Sequence, residues 1–133
     1  MELQRKYSKK REAILCAIKS TTEHPSADML YEQLRPLYPD LSLGTVYRNL
    51  GLFLQSGEIV SVGTVTGQER YDGNTAPHAH FICTHCARVL DVGTPDLLSG
   101  LYLAVESATG GVVRSHALTF TGVCAECLAK EGQ

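Results

Sequence analysis

Four of the five cysteines in this 133-residue chain stand in two pairs, Cys83-Thr-His-Cys86 and Cys124-Ala-Glu-Cys127. A two-residue spacer lets both sulfurs of a pair turn onto one ion, so the two pairs can supply the four thiolates of a tetrahedral zinc site. The 37 residues between Cys86 and Cys124 exceed the about 15–20 of a simple zinc ribbon, and they leave room for a strand, a helix and a return strand. A closed four-sulfur site of this kind is structural rather than catalytic. The competing chemistry is redox, with each pair acting as a dithiol switch. The basic N-terminal segment is not followed by a signal-peptide apolar core, so the expected compartment is reducing and a disulfide framework gives way to metal binding. The fifth thiol, Cys16, reads as a small filler at a helix packing edge.

A second set of residues is chemically different: His24, Asp72, His78, His80 and Asp91. In an extended segment His78-Ala79-His80 places both imidazoles on one face, because side chains alternate with period two. A mixed imidazole and carboxylate set suits Fe²⁺, Mn²⁺ or Zn²⁺ rather than Cu⁺. On spacing alone Asp72 reads equally as a turn residue, Asp91 as a strand-end charge, and His24 as an exposed loop histidine before Pro25. Catalytic metal motifs are excluded more firmly. A zinc deaminase requires a ligand-x-Glu motif and Pro-Cys-x-x-Cys, whereas His80 occupies the Glu position and Ile82 precedes Cys83. The metalloprotease His-Glu-x-x-His and the Gly-rich phosphate loop are both absent. Nothing in these motifs calls for an enzyme.

The elements that must carry these residues can be read from periodicity. Residues 8 to about 20 have a helical pattern, with Ser8 as N-cap and Ile14, Leu15 and Ile18 on one face. Ser26 caps a second helix whose stripe is Leu30, Leu34 and Leu37, ended or distorted by Pro36 and Pro39. Ser42 caps a third, with Val46, Leu50, Phe53 and Leu54 inward and Gly57 where a helix-ending glycine belongs. Two β-like runs follow, Ile59–Thr64 and Glu69–Asp72, joined by Val65-Thr66-Gly67-Gln68 as a hairpin. Three helices and a hairpin are the order of a winged helix-turn-helix, whose third helix enters the DNA major groove. On that helix Gly44, Arg48 and Gln55 face away from the apolar stripe, with Thr45 and Tyr47 flanking. Thr45, Tyr47 and Arg48, together with Lys9 of the basic N-terminal arm, are therefore the expected DNA contacts.

Gly73-Asn74-Thr75-Ala76-Pro77 is a turn-rich break. The expected organisation is α+β: a winged-helix domain over residues 1–72, a hinge over 73–77, and an α/β domain over 78–133. Within the last, His80–Cys83 and Arg88–Val92 read as strands. Pro95–Ala108 reads as a helix with Leu97, Leu101, Ala104, Val105 and Ala108 on one face, and Val112–Val123 as one further strand.

The 44% hydrophobic and 20% charged composition is that of a globular protein, and no apolar run is long enough to span a bilayer, so a cytoplasmic location is expected. The net charge of −2 announces no nucleic-acid binder, but residues 1–11 carry a local +4 while residues 67–133 carry −3. A basic arm on an acidic body still binds phosphates locally.

Four segments taken together resemble the ferric uptake regulator family: His24-Pro25-Ser26-Ala27-Asp28, Thr45-Val46-Tyr47-Arg48-Asn49-Leu50, His78-x-His80-x-x-Cys83-x-x-Cys86 and Gly122-Val123-Cys124-x-x-Cys127. They run in register from about residue 8 to 128. The resemblance is greatest to the family's peroxide-sensing branch. It implies a homodimeric repressor, with residues 78–133 as the dimerisation domain, that binds a palindromic DNA operator and has no small-molecule substrate beyond a metal ion and hydrogen peroxide. It also implies structural Zn²⁺ on Cys83, Cys86, Cys124 and Cys127, and regulatory Fe²⁺ or Mn²⁺ on His24, Asp72, His78, His80 and Asp91. The iron-uptake branch usually has Glu in place of Asp72 and Asp91. Its second His/acid site falls here on Pro77 and Ala79, which cannot ligate, leaving His116 as a packing or hydrogen-bonding residue. Tyr47-Arg48-Asn49, in contrast, is similar to the iron-uptake DNA helix. An iron- or manganese-level sensor blind to peroxide is therefore the alternative within the family, and a thiol redox protein the alternative outside it.

Overall fold

In a computed structural model of the chain, the structure describes residues 8–76, 78–93 and 95–131. Two compact units span Met1–Ala76 and Pro77–Gln133.

The first unit is built on helices α1 (Ser8–Lys19), α2 (Ala27–Leu34) and α3 (Leu43–Ser56) and a hairpin of β1 (Val60–Val65) and β2 (Gln68–Asp72). Each helix buries one face at 3.6-residue spacing: Ile14, Ala17 and Ile18; Ala27, Leu30 and Leu34; Val46, Leu50 and Phe53. These side chains, with Leu41, Ile59 and Tyr71, form one continuous core. The local signals lie where expected. Ser26 Oγ accepts the Met29 N–H at 3.2 Å, Ser42 Oγ accepts the Thr45 N–H at 3.1 Å, and Gly57 closes α3 at φ 79°. The Ser8 cap falls on a side chain outside the described residues.

Three expectations are corrected in this unit. Leu37 is 72% exposed rather than part of the α2 stripe, because the helix ends at Leu34 just before Pro36. Cys16 is exposed, not a packing filler. The hairpin connection is the two residues Thr66-Gly67, both at positive φ (49° and 83°), which matches the right-handed strand twist better than a four-residue loop. The basic arm is also less free than its sequence suggests. Lys10 Nζ lies 2.9 Å from Asp40, and its hydrogen bond holds that carboxyl below its ordinary value. Arg11 sits 3.3 Å from Glu58 and stacks over the Phe53 ring.

The second unit contains β3 (Ala79–Cys83), β4 (Val89–Val92), α4 (Pro95–Thr109), β5 (Thr119–Gly122) and α5 (Ala125–Glu131). The sheet order is β4-β3-β5, with β4 antiparallel and β5 parallel to β3. A parallel neighbour requires a crossover, and α4 lies within it. The single strand expected over Val112–Val123 is cut to Thr119–Gly122, since residues 112–118 have no ladder partner among the described residues. The apolar side of α4 is not covered either: Leu101, Ala104, Val105 and Ala108 are exposed. The Leu97 side chain lies outside the described residues.

Among the described residues no helix is long and apolar enough to cross a membrane. Because the continuous core belongs to the first unit alone, Phe53→Ala should destabilise that unit by about 3–5 kcal/mol while leaving the zinc content unchanged. Urea unfolding followed by the far-ultraviolet helix signal, with zinc analysis of the same samples, checks both halves of this expectation.

Candidate metal centres

In the second unit the two cysteine pairs converge. Cys83 and Cys86 sit at the end of β3 and in the turn before β4; Cys124 and Cys127 sit at the start of α5. The ladder pairs Cys83 with Gly122, and Thr84 N–H and Oγ1 donate to the Gly122 carbonyl at 2.8 and 3.1 Å, which fastens the two turns together. Arg88 to Glu126 at 2.9 Å ties α5 to the same turn from outside. As a result Cys83 Sγ lies 3.8 Å from Cys127 Sγ, and Cys86 Sγ lies 3.8 Å from Cys124 Sγ. A tetrahedron with metal–sulfur bonds of about 2.3 Å has edges of about 3.8 Å, so the four sulfurs fit one thiolate-held ion.

The electrostatics agree with that fit. Cys83 Sγ accepts backbone N–H groups of Cys124 at 3.3 Å and Cys86 at 3.5 Å, and these donors hold its thiol down to about 6. Cys127 is pushed up to about 12, first by its hydrogen bond with Cys124 and then by burial. Four neighbouring sulfurs cannot all carry charge unaided, and that is the repulsion a bound cation relieves.

The imidazole and carboxylate residues are distributed over both units. In the first, His24 is only 1% exposed, which overturns the exposed-loop reading, and its backbone is left-handed at φ 56°. For a residue with a Cβ that conformation costs about 1–2 kcal/mol and must be held by its surroundings. Arg70 on β2 supplies the hold: its Nε donates to the His24 carbonyl and its Nη2 to the Glu23 carbonyl at 2.8 Å. Tyr71 N–H donates to the Pro25 carbonyl at 3.0 Å. The ring is thereby brought to Asp72, His24 Nε2 lying 3.3 Å from Oδ2 of a carboxylate that is itself 5% exposed. Asp72 also fills the turn role, since its other oxygen accepts the Asn74 N–H at 2.9 Å.

In the second unit His80 and Asp91 face each other across the β3–β4 ladder, with Nε2 and Oδ1 3.4 Å apart. His78 Nε2 reaches the same Oδ1 at 2.9 Å, and the two imidazole centroids are 4.5 Å apart. Donor separations near 3 Å are the edges of a coordination shell with bonds of about 2.1 Å. Each half-set therefore presents nitrogen and oxygen donors at spacings that a divalent ion accepts.

The expected DNA contacts lie on α1 and α3. Tyr47 and Arg48 are exposed on α3, Lys9 is exposed on α1, and Thr45 is half-buried with its hydroxyl 2.9 Å from Ser42 Oγ. His116 is hydrogen-bonded, its Nδ1 2.6 Å from the Tyr102 hydroxyl. Arg70 is the residue that motif spacing did not single out. The available signal was its place two positions before Asp72 on a strand, which puts both side chains on one face.

The chain matches the model of the ferric uptake regulator family over residues 2–121. It is 37% identical over 121 residues to the peroxide operon regulator of Bacillus subtilis, covering 91% of this chain and 83% of that protein. It is 35% identical over 117 residues to the peroxide-responsive repressor PerR of Staphylococcus epidermidis, covering 88% of this chain and 77% of that one. Among solved structures, the Campylobacter jejuni peroxide stress regulator superposes with a TM-score of 0.78 at 28% identity, over 95% of this chain and 97% of that chain.

The sulfur geometry makes a direct expectation. Protein purified under reducing conditions should carry about one thiolate-held zinc per chain. Cys83→Ser or Cys124→Ser should lose it and unfold the second unit, because structural zinc contributes on the order of 10 kcal/mol or more to folding. Elemental analysis together with thermal unfolding checks this, and a zinc-loaded, stable variant would remove the four-sulfur site.

Proposed function

The chain belongs to the ferric uptake regulator family, and on that premise we propose that it is a metal-dependent transcriptional repressor that senses peroxide through oxidation of its own histidines. Family members are metal-responsive regulators that bind DNA as dimers, not enzymes. The peroxide response is carried from the names of the Bacillus and Staphylococcus relatives. A chromosomal repressor acts where the DNA is, so the proposed location is the cytoplasm.

In this reading Zn²⁺ occupies Cys83, Cys86, Cys124 and Cys127, and one Fe²⁺ or Mn²⁺ is held by His24, Asp72, His78, His80 and Asp91. The observation that carries it is His24, buried beside Asp72 and held in its left-handed conformation by Arg70. His24 and Asp72 belong to the first unit, and His78, His80 and Asp91 to the second. Ligands from two units make metal affinity depend on their mutual arrangement. The ion shifts that equilibrium only by its differential affinity for the DNA-competent arrangement. Two such protomers then present their α3 helices to successive half-sites of a palindromic operator, with Arg48 and Tyr47 reading base edges and Thr45 and Lys9 supporting them.

When bound, Fe²⁺ would supply a one-electron route for splitting the peroxide O–O bond, which Mn²⁺ does not. One peroxide oxygen would then go to a ring carbon of either His24 or His78, the two electrons coming from the imidazole and the displaced hydrogen leaving with the second oxygen as water. The modified ring is a weaker donor, and the DNA is freed. The event consumes the protein, so it is signalling and not turnover. The resemblance of Tyr47-Arg48-Asn49 to the iron-uptake DNA helix favours a second reading, a metal-level sensor that ignores peroxide.

Two outcomes test the proposal. Intact and peptide mass analysis of iron-loaded protein after dilute peroxide should show the gain of one oxygen atom on His24 or His78, absent in the Mn²⁺ form. His24→Ala should abolish metal-dependent operator binding with zinc and dimer retained. Oxidation confined to cysteines would sink the histidine mechanism in favour of thiol chemistry, and no oxidation at all would favour the metal-level sensor. Separately, Arg48→Ala should weaken operator binding by about 1–3 kcal/mol and relax base preference, with metal binding unaffected. Gel-shift titration against operator variants measures this, and unchanged affinity would place the DNA contact elsewhere.

A further inference from the structure

Three successive carbonyls, of Glu23, His24 and Pro25, are all claimed by two consecutive residues of β2, Arg70 and Tyr71. In extended backbone, successive carbonyls point in opposite directions, so two of them meet one guanidinium only if the residue between them leaves the extended region. His24 does so, at φ 56°. Arg70 is 9% exposed, and its planar fork of donors suits two oxygens at once in a way a lysine ammonium does not. Asp72 follows two positions later on the same strand, so the guanidinium and the carboxylate reach the loop from one face. One strand thus holds the backbone of His24 with one side chain and meets its ring with the next but one.

We propose that Arg70 is a positioning residue for the imidazole of His24: by fixing the left-handed turn at residue 24 it orients Nε2 beside Asp72 and raises the affinity of that half-set for a divalent ion. The inference rests on the reading of His24 as a metal ligand. Arg70 does not touch the ion. It removes conformations of the loop in which the ring points elsewhere, so less ordering is left for the metal to impose.

The test uses zinc-loaded protein and Mn²⁺ alone, with free Mn²⁺ followed by its electron paramagnetic resonance signal. Supporting groups around a metal site typically change affinity by about 10–100-fold, and Arg70→Gln should fall in that range with zinc content unchanged. Arg70→Lys, which keeps the charge but offers a single head to two carbonyls, should lie between wild type and Arg70→Gln. The decisive comparison is the double variant. If Arg70 acts through His24, Arg70→Gln adds no further loss to His24→Ala. Equal losses in both backgrounds would mean that Arg70 only supports the fold, and an unchanged Mn²⁺ affinity would mean that it positions nothing. Either result overturns the proposal. If Arg70→Gln does not fold, Arg70→Lys carries the same cycle with the same criteria. A His24→Ala protein that binds Mn²⁺ as tightly as wild type would instead overturn the metal-ligand reading of His24, an outcome distinct from failure of Arg70 alone.

Discussion

The second unit has almost no apolar interior, and its fold hangs on the convergence of four sulfurs. Among its described side chains only Ala79, Val89 and the cysteines Cys83 and Cys124 are buried apolar groups. A unit of this size gains too little from hydrophobic burial to stand by that alone, and such units rely on a metal, a crosslink or a partner chain. The four sulfurs are spaced to hold the first of these. Unlike an apolar core, they cannot simply pack: two like charges about 4 Å apart repel by about 4 kcal/mol near a protein surface. Backbone N–H donors hold Cys83 down to about 6 while the hydrogen bond with Cys124 pushes Cys127 up to about 12, so the four positions favour a thiolate unequally. The uncovered apolar side of α4 fits the same accounting, since the family works as dimers and a second chain can cover what this one leaves open.

The first unit solves the opposite problem. Its helices share a closed core in which Ile14, Ile18, Leu30, Val46, Leu50, Phe53 and Ile59 are all but fully buried. That rigidity is transmitted to two places. One is α3, whose exposed Tyr47 and Arg48 are held on a helix anchored through Val46, Leu50 and Phe53. The other is the turn at residues 23–26, which is pinned by the strand that also bears Asp72. The exposed face of α3 and the turn that bears His24 are thus fastened to one core.

What could be read in advance was what acts locally. Caps at Ser26 and Ser42, the left-handed Gly57 and the two cysteine pairs depend on neighbours a few residues away, so their spacing betrays them. Apart from Leu37, where a local helix end decides, the misreadings came from interactions with remote parts of the chain. Leu37 continues the apolar period of α2, but the backbone has already left the helix at Leu34. Residues 112–118 are β-like in composition, yet a strand exists only where another strand pairs with it, and the ladder to β3 begins at Thr119. Arg70 was invisible because it binds main-chain oxygens 46 residues away, and a carbonyl has no side-chain identity to form a pattern. The same distance hid the burial of His24, whose surroundings are supplied by β2.

The parallel pairing of β3 with β5 has a consequence for how the protein is made. Cys83 and Cys124 are separated by 41 positions, so the first cysteine pair is synthesised well before its counterpart exists. At translation rates of about 5–20 residues per second, the wait is roughly 2–8 s. The helices of the first unit, rich in local contacts, fold in microseconds to milliseconds. Each nascent chain therefore passes through a period in which the helical first unit is tethered to an unfinished remainder. Until the second cysteine pair is made, the first pair has no partner with which to hold an ion, and its thiols are open to oxidation.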